Sequence, residues 1–391
     1  MKISGETTVA AKLKSGFRQR YGTEARIFRA PGRVNLIGEH TDYNDGFVMP
    51  AAIELGVWIA IAPRDDRELV VHSENFSESV EIELDDRDPG PRQHWSDYVQ
   101  GVAVVLQKTG YVLRGANMLI SGNVSIGSGL SSSAAIEVAT GFALLGNSGL
   151  PVDRVELAKL CRRAENEFVG ARVGIMDPFI SCCGHAGHAL MLDCRSLDYR
   201  LLSIPAGVSL VICNTMVKHE LASGEYNRRR AECEEGVRIL SRRLPDVRAL
   251  RDVHLKDLDR YCDDLPQTIY NRCRHVVTEN ARVCDAAAAL DKADLPLFGR
   301  LMAESHISLR DDYEVSCQEL DLMVKLARQV EGVFGARMTG GGFGGSTVNL
   351  VENRYVEDFR RSVANAYERS TGLLPQILVS AAADGVGEVR A

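Results

Sequence analysis

An α+β fold of two lobes with a cleft between them is what this sequence predicts, and three observations predict it. Strand-like and helical segments mix through the first half of the 391 residues. Long helical stretches fill the second half, which opens and closes on strand-like runs. Three glycine-rich or polar strings interrupt these elements where neither a strand nor a helix needs them.

The first half reads as strands at 24–29 and 55–63, the latter rich in Val, Ile and Trp, then at 69–72 and 79–84. Helices follow at 95–108 and 131–145, and Pro151, Val152 and Asp153 open another that runs to about Phe168. The second half starts with a strand at 208–214. Helices at 226–243, 270–291, 294–310 and 317–330 come next, and strands at 346–351 and 374–381 end the pattern. A boundary at Pro205, Ala206 and Gly207 divides the chain into 1–205 and 206–391.

Composition narrows the function. A formal net charge of −7 opposes nucleic-acid binding. The one basic run, Arg228-Arg229-Arg230, is followed by Glu232, Glu234 and Glu235 and reads as a solvated helix face. No run of about 18 apolar residues is present, so no membrane span is expected. The first residues lack the apolar stretch of a secretory signal. Ten cysteines without metal-ligand spacing suit free thiols in a reducing compartment, and a cytoplasmic location is expected. His185 and His188 flank Gly187 as in a turn rather than a metal site.

Three strings carry chemistry. In GSGLSSSAA at 127–135, Gly127 and Gly129 permit backbone conformations closed to other residues just before an apolar helix. Ser131, Ser132 and Ser133 stand where a hydroxyl can cap free N–H groups. A helix N-terminus attracts anions, and Ala134 and Ala135 leave room for a phosphate chain. No Lys follows, so this is not a Walker A loop. The plain alternative is a serine-capped helix.

In APGRVNLIGEHTDY at 30–43, Arg33, Glu39, His40 and Asp42 crowd around Gly32 and Gly38. Carboxylates suit sugar hydroxyl donors, and Arg suits a phosphate or carboxylate. Asn44, Asp45 and Gly46 read as a hairpin turn, which accounts for the turn but not for Arg33 or Glu39. In MTGGGFGGS at 338–346, five glycines in six positions imply a close backbone approach, or else a flexible hairpin tip.

Together these strings resemble the GHMP kinase superfamily, and within it the galactokinase branch. The first string is specific to that branch; the other two are shared more widely. The likeness continues through GIMDPFIS at 174–181, HALMLDCRSL at 188–197, LASGEYNRRR at 221–230 and ESHISLRDDYEVSC at 304–317. The resemblance implies two α+β lobes with the active site between them, and ATP-dependent phosphorylation of the C1 hydroxyl of galactose. It implies that Asp177 is the catalytic aspartate that takes the hydroxyl proton, with Arg33 beside it and the transferring phosphate. Glu39, His40, Asp42, Gly174 and Tyr226 match sugar-contacting positions. Gly127, Ser128, Gly129, Leu130, Ser131, Ser132 and Ser133 would bind ATP. Glu165, with Ser133, would hold Mg²⁺. A monomer without nucleic-acid or membrane partners is expected.

One departure stands out. The family has Gln after the catalytic aspartate, whereas this chain has Pro178. Proline suits the first turn of a helix, with Asp177 as its N-cap. Two further readings compete: an N-acetylgalactosamine kinase, and a sensor that binds galactose and ATP without catalysis. The unbroken Ser131–Ala135 segment opposes the sensor. The GEHTDY string opposes a mevalonate or homoserine substrate, which would offer a carboxylate to acceptors.

Overall fold

The computed structural model describes residues 5–86, 89–218 and 222–389. Leu221, which opens the LASGEYNRRR string, lies outside the described residues, as does the start of the N-terminal segment read above for a secretory signal.

The first sheet has six strands in the order Gly387–Val389, Arg26–Asn35, Pro50–Pro63, Ala116–Gly122, Glu68–Ser73 and Glu78–Glu83. Neighbours are antiparallel except Glu68–Ser73 against Ala116–Gly122. Along Pro50–Pro63, Val57, Ile59 and Ile61 alternate with Trp58, Ala60 and Ala62, and all six are buried. Successive strand residues face opposite sides, so both faces of this sheet must be covered. The first set packs on helices Asp97–Lys108 and Ser132–Asn147. The second packs on Ala10, Leu13 and Phe17 of helix Gly5–Tyr21, which the pattern above does not single out.

The second sheet, in the order Val333–Thr339, Gly344–Glu352, Val208–Lys218 and Gln376–Ser380, is antiparallel throughout. Val211, Cys213, Ala336 and Val351 face helices Gln318–Ala327 and Val356–Thr371. Leu210, Ile212, Val348 and Leu350 face helices Gln267–Asp291 and Leu295–Asp311. That second core also contains Val34, Leu36, Met49 and Ala51 from the first half of the chain. A small third sheet joins Phe47–Val48, His188–Asp193 and Tyr199–Ser203.

Several local expectations are corrected. The strand expected at 24–29 runs on to Asn35, through the sugar string, with a register shift between Pro31 and Arg33. Asn44–Gly46 is not a simple hairpin turn. Asp42–Asn44 forms a 3₁₀ turn, Asp45 is left-handed (φ 57°), and the following strand pairs with His188–Asp193. The Thr41 hydroxyl contacts the carbonyls of Gly38 (2.8 Å) and Phe47 (2.6 Å), which closes this loop on itself. The helix expected to reach Phe168 is capped by the Asp153 carboxylate and regular only to Ala164. It then widens into a π turn, Glu165–Val169, and stops at Gly170 (φ 88°). The basic run is only partly a solvated face. Arg228 and Arg230 pair with Glu232 and Glu234, whereas Arg229 is buried and donates to the carbonyls of Tyr313 and Glu314.

Candidate active site

The three strings meet at one place. A Cβ on Gly32 would stand 2.7 Å from the Leu130 carbonyl oxygen, and one on Gly340 would stand 2.9 Å from that of Gly129. These contacts explain the glycines, because any side chain would force the strings apart. The carbonyls of Ser128, Gly129 and Leu130 accept from the Ser346 hydroxyl, the Arg33 guanidinium and the Arg33 N–H. Across a trans peptide the next N–H points the opposite way. The N–H groups of Gly129, Leu130 and Ser131 therefore face away from these contacts. With Gly127, Gly129 and Ser131 all at positive φ (74°, 79° and 58°), the segment has the alternating backbone of an anion nest.

Helix Ser132–Asn147 starts from this nest without a side-chain cap. The expected capping role of Ser131 is thus corrected: its hydroxyl donates instead to Asp177 Oδ2. The strain of a left-handed serine is held by that bond and leaves the helix's first N–H groups without a side-chain partner.

Asp177 is not an N-cap either. Helix Met176–Cys183 is preceded by Ile175, and its first bond closes from the Phe179 N–H to the Ile175 carbonyl. Pro178 falls just before that donor, where a backbone N–H has no intrahelical partner, so it costs the helix no bond. The Asp177 carboxylate is free to take two parallel bonds from Arg33, at 2.7 Å from Nε and 2.8 Å from Nη2. Burial works against the charge on Arg33, but Asp177, Glu39 and Asp42 outweigh it and raise its pKa.

The residues matched to sugar contacts line a cavity of about 540 Å³ together with Arg33 and Asp177. Glu39 is buried; its Oε1 accepts from the Gly340 N–H at 2.7 Å and lies 3.5 Å from Arg337 Nη1. Burial pushes Glu39 up, opposed by Arg337 and Arg33. His40 has left-handed backbone (φ 62°), and burial drives its pKa down to about 3. The imidazole is therefore neutral. Asp42 is pushed up to about 6, first by burial and then by the charge of Asp177. Gly174 lies against Asp42, and a Cβ there would stand 1.7 Å from Oδ2. The Tyr226 ring centroid is 5.5 Å from those of His40 and Tyr43. Arg337 joins this site unannounced by the sequence; it is fully buried and spans Asn35 and Glu39.

A second cavity, of about 130 Å³, opens beside the uncapped helix start. Ser132, Ser133 and Ile136 form one wall, and Phe76, Trp95 and Tyr98 another. The Phe76 and Trp95 rings stack, 5.7 Å apart and 6° from parallel. The sequence reading places Trp95 and Tyr98 at the entry of the helix expected at 95–108 but assigns none of these aromatics to a site.

Glu165 opens the π turn, directly after the last regular residue of its helix. It is buried and pushed up to about 7, first by burial and then by Asp177, while the Ser133 hydroxyl lowers it. Glu137, from helix Ser132–Asn147, faces it. Neither Glu137 oxygen closes a hydrogen bond of ordinary geometry, and burial with the Glu165 carboxyl pushes Glu137 well up. Two buried carboxyls and a serine hydroxyl form a hard oxygen donor set on which Arg33 acts only as a minor positive influence, which fits a divalent cation such as Mg²⁺. No group of three or more His, Cys, Asp or Glu side chains suited to a metal occurs among the described residues. No helix among them is long and apolar enough to cross a membrane.

Comparison with known proteins identifies the family. A galactokinase galactose-binding signature matches residues 15–63, the GHMP kinase N-terminal domain matches 97–185 and the GHMP kinase C-terminal domain matches 286–369. The chain is 46% identical to a galactokinase of Roseiflexus sp. (strain RS-1), over 97% of each chain. It is 49% identical to one of Chloroflexus aggregans, again over 97% of each. The crystal structure of Lactococcus lactis galactokinase complexed with galactose superposes with a TM-score of 0.94 at 37% identity, covering 97% of this chain and 100% of that one. Methanococcus jannaschii mevalonate kinase, at 19% identity and a TM-score of 0.67 over 93% of this chain and 100% of its own, shares the fold. The fold, the convergence of the three strings and identity of this extent along the whole chain have one common explanation: the protein belongs to the galactokinase family of the GHMP kinases.

Proposed function

We propose that this chain transfers the γ-phosphoryl group of ATP to the C1 hydroxyl of galactose, giving galactose 1-phosphate and ADP. The observation that carries the reading is the two-pronged Arg33–Asp177 pair, set on the wall of a cavity that also holds Glu39, His40, Asp42 and Tyr226. Asp177 accepts two bonds from Arg33 and one from Ser131, which leaves lone-pair capacity for one sugar hydroxyl. The new O–P bond forms at C1, the bond from Pγ to the β–γ bridging oxygen breaks, and the hydroxyl proton passes towards Asp177. A loose transition state asks for positioning and charge neutralisation more than for strong base catalysis. Arg33 supplies both, orienting Asp177 and offering positive charge at the transferring phosphate.

The nest at Gly127–Ser131 and the open start of helix Ser132–Asn147 would take the phosphates, and the cavity at Phe76 and Trp95 the base. Glu165 and Ser133 would hold Mg²⁺, with Glu137 behind them; when bound, the metal offsets phosphate charge. Galactose and ATP are the partners in this reading. A monomer in the cytoplasm is part of it, and free thiols at buried positions suit that compartment. The division into 1–205 and 206–391 is kept as part of the same proposal, with Gly387–Val389 returning to the first sheet.

The test is ADP release with ATP, Mg²⁺ and galactose, N-acetylgalactosamine, glucose, arabinose or mevalonate. Galactose should support turnover well above the others. Folded protein that binds ATP but turns over none of these substrates would overturn the kinase reading.

A further inference from the structure

Around the sugar-side cavity three guanidiniums meet three carboxylates, and two of the pairs are closed. Arg33 gives Nε and Nη2 to Asp177 and Nη1 to the Gly129 carbonyl, so all three of its nitrogens are engaged. Arg282 Nε meets Glu279 Oε2 at 2.7 Å, and Glu279 Oε1 accepts from the Gly38 N–H at 2.9 Å. The third pair is Arg337 with Glu39. Arg337 Nη1 lies 3.5 Å from Glu39 Oε1, and the two side chains are 0% and 3% exposed.

The one hydrogen bond that Arg337 closes does not explain its presence. Nη1 donates to the Asn35 carbonyl at 3.1 Å, but Thr339 already ties Asn35 to the same strand. The Thr339 hydroxyl accepts from the Asn35 N–H at 2.9 Å and donates to the Asn35 carbonyl at 3.2 Å. Arg337 Nε and Nη2 are buried and complete no hydrogen bond among the described residues. Packing does not call for a cation either, since Arg337 pairs across the sheet with Val348, in the core that holds Val34 and Leu36. A buried guanidinium with unmet donors is costly, and a facing carboxylate is what offsets it. Glu279 already has Arg282, so that carboxylate is Glu39.

The contacts of Glu39 are one-sided. Oε1 accepts from the Gly340 N–H at 2.7 Å and is the oxygen that faces Arg337. Oε2 accepts no hydrogen bond among the described residues and is not sealed in, because Glu39 lines the cavity. Donor and acceptor are fixed at each contact: the N–H groups give, and the carboxylate receives.

We propose that Arg337 is a positioning residue for sugar recognition: its charge holds Glu39 Oε1 against the Gly340 N–H and so presents Oε2 to the cavity, where it accepts one hydroxyl of the sugar. This rests on the reading of the cavity as a sugar site. Without the guanidinium the buried carboxyl would take up a proton or turn, and either change costs the pocket an acceptor.

The experiment compares wild type, Arg337→Met, Glu39→Ala and the double variant, each as the full chain. The ratio kcat/KM is measured for galactose and for the analogues that lack the hydroxyl at C2, C3, C4 or C6. At one of these positions, loss of the hydroxyl should cost the wild type about tenfold more than it costs Glu39→Ala, as expected for a hydrogen bond to a charged group. That position identifies the hydroxyl that Glu39 accepts. There, Arg337→Met should discriminate within about threefold of Glu39→Ala, and the double variant should lose no more than Glu39→Ala alone. An Arg337→Met protein that discriminates like the wild type overturns the proposal. So do losses that multiply in the double variant, because they would come from independent disturbances of the strand. If Arg337→Met does not fold, adding Glu39→Ala should restore folding, since both charges then leave together. A double variant with a urea midpoint no higher than that of Arg337→Met overturns the pairing. If Glu39→Ala discriminates like the wild type at every position, the sugar reading of Glu39 fails, and the urea midpoints still judge the pair on their own.

Discussion

At Gly174 one absent methyl group decides where Asp42 can stand. A Cβ there would lie 1.7 Å from Asp42 Oδ2, and no rotation of a carboxylate already held against Met176 and Tyr43 clears that overlap. Gly174→Ala must displace either Asp42 or the segment leading into Asp177. Losing one sugar contact costs about 1–3 kcal/mol, so the KM for galactose should rise about tenfold or more. Where Asp42 gives way and the segment into Asp177 holds, the Arg33–Asp177 pair keeps its geometry, so kcat should fall less than the KM rises. Initial rates over a galactose series decide this, and a KM within about twofold of wild type would refute the assignment. The same neighbourhood shows what the sequence can and cannot disclose about a site. Arg33 is legible because its string holds more polar residues than its turn requires, whereas Asp177, 144 positions on in the mostly apolar GIMDPFIS, is reached only through the family resemblance. Glu137 is not legible, because it lies between Ile136 and Val138 in an apolar helix and its meaning comes only from Glu165 across the packing. Arg337 is silent for the same reason, since its partners lie about 300 positions away.

Among the elements, those with strong periodicity are legible and those that complete another element's packing are not. The alternation in Pro50–Pro63 announces a strand with two buried faces, but nothing in that strand says which helix covers Trp58. Helix Gly5–Tyr21 does so, through Ala10, Leu13 and Phe17, with a polar composition that carries little pattern of its own. The turn at Glu165–Val169 was illegible because a π turn differs from an α turn by one residue of register, not by composition. Phe17 is fully buried against the face of the sheet opposite helix Ser132–Asn147. Phe17→Ala should therefore destabilise the fold by about 3–5 kcal/mol while leaving kcat per folded molecule unchanged. Urea unfolding followed by circular dichroism, paired with an active-site titration, would test both halves. A loss of kcat at full folding would mean that the helix reaches the site by a route the packing does not show.

Across the whole molecule, the sugar string and the second sheet share one core, so the state of the site bears on global stability. The link is made by carboxyls that folding raises: Glu165 to about 7 and Asp42 to about 6, against ordinary values of 4.5 and 3.8. Between the ordinary and the raised value, the folded chain binds a proton that the unfolded chain has released. Each group's contribution is thus fully present below its ordinary value and is lost as pH rises through the raised one. In protein free of metal and nucleotide, Glu165 should remove on the order of 3 kcal/mol of stability between pH 5 and pH 8, while the buried neutral imidazoles of His40 and His275 add stability over the same range, so the contribution is read from the difference between wild type and a Glu165 variant. Glu165→Gln removes the titrating group and keeps the shape, so its stability relative to the wild type should rise by that amount over the range. Mg²⁺ with ATP should stabilise the wild type more at pH 8 than at pH 6, because a cation binds the ionised carboxyl, and should lose that preference in the variant. Urea unfolding of both proteins at pH 5, 6.5 and 8 measures the difference directly. Equal slopes in the two would mean that Glu165 titrates as it does in water, and that its burial against Glu137 does not govern the site.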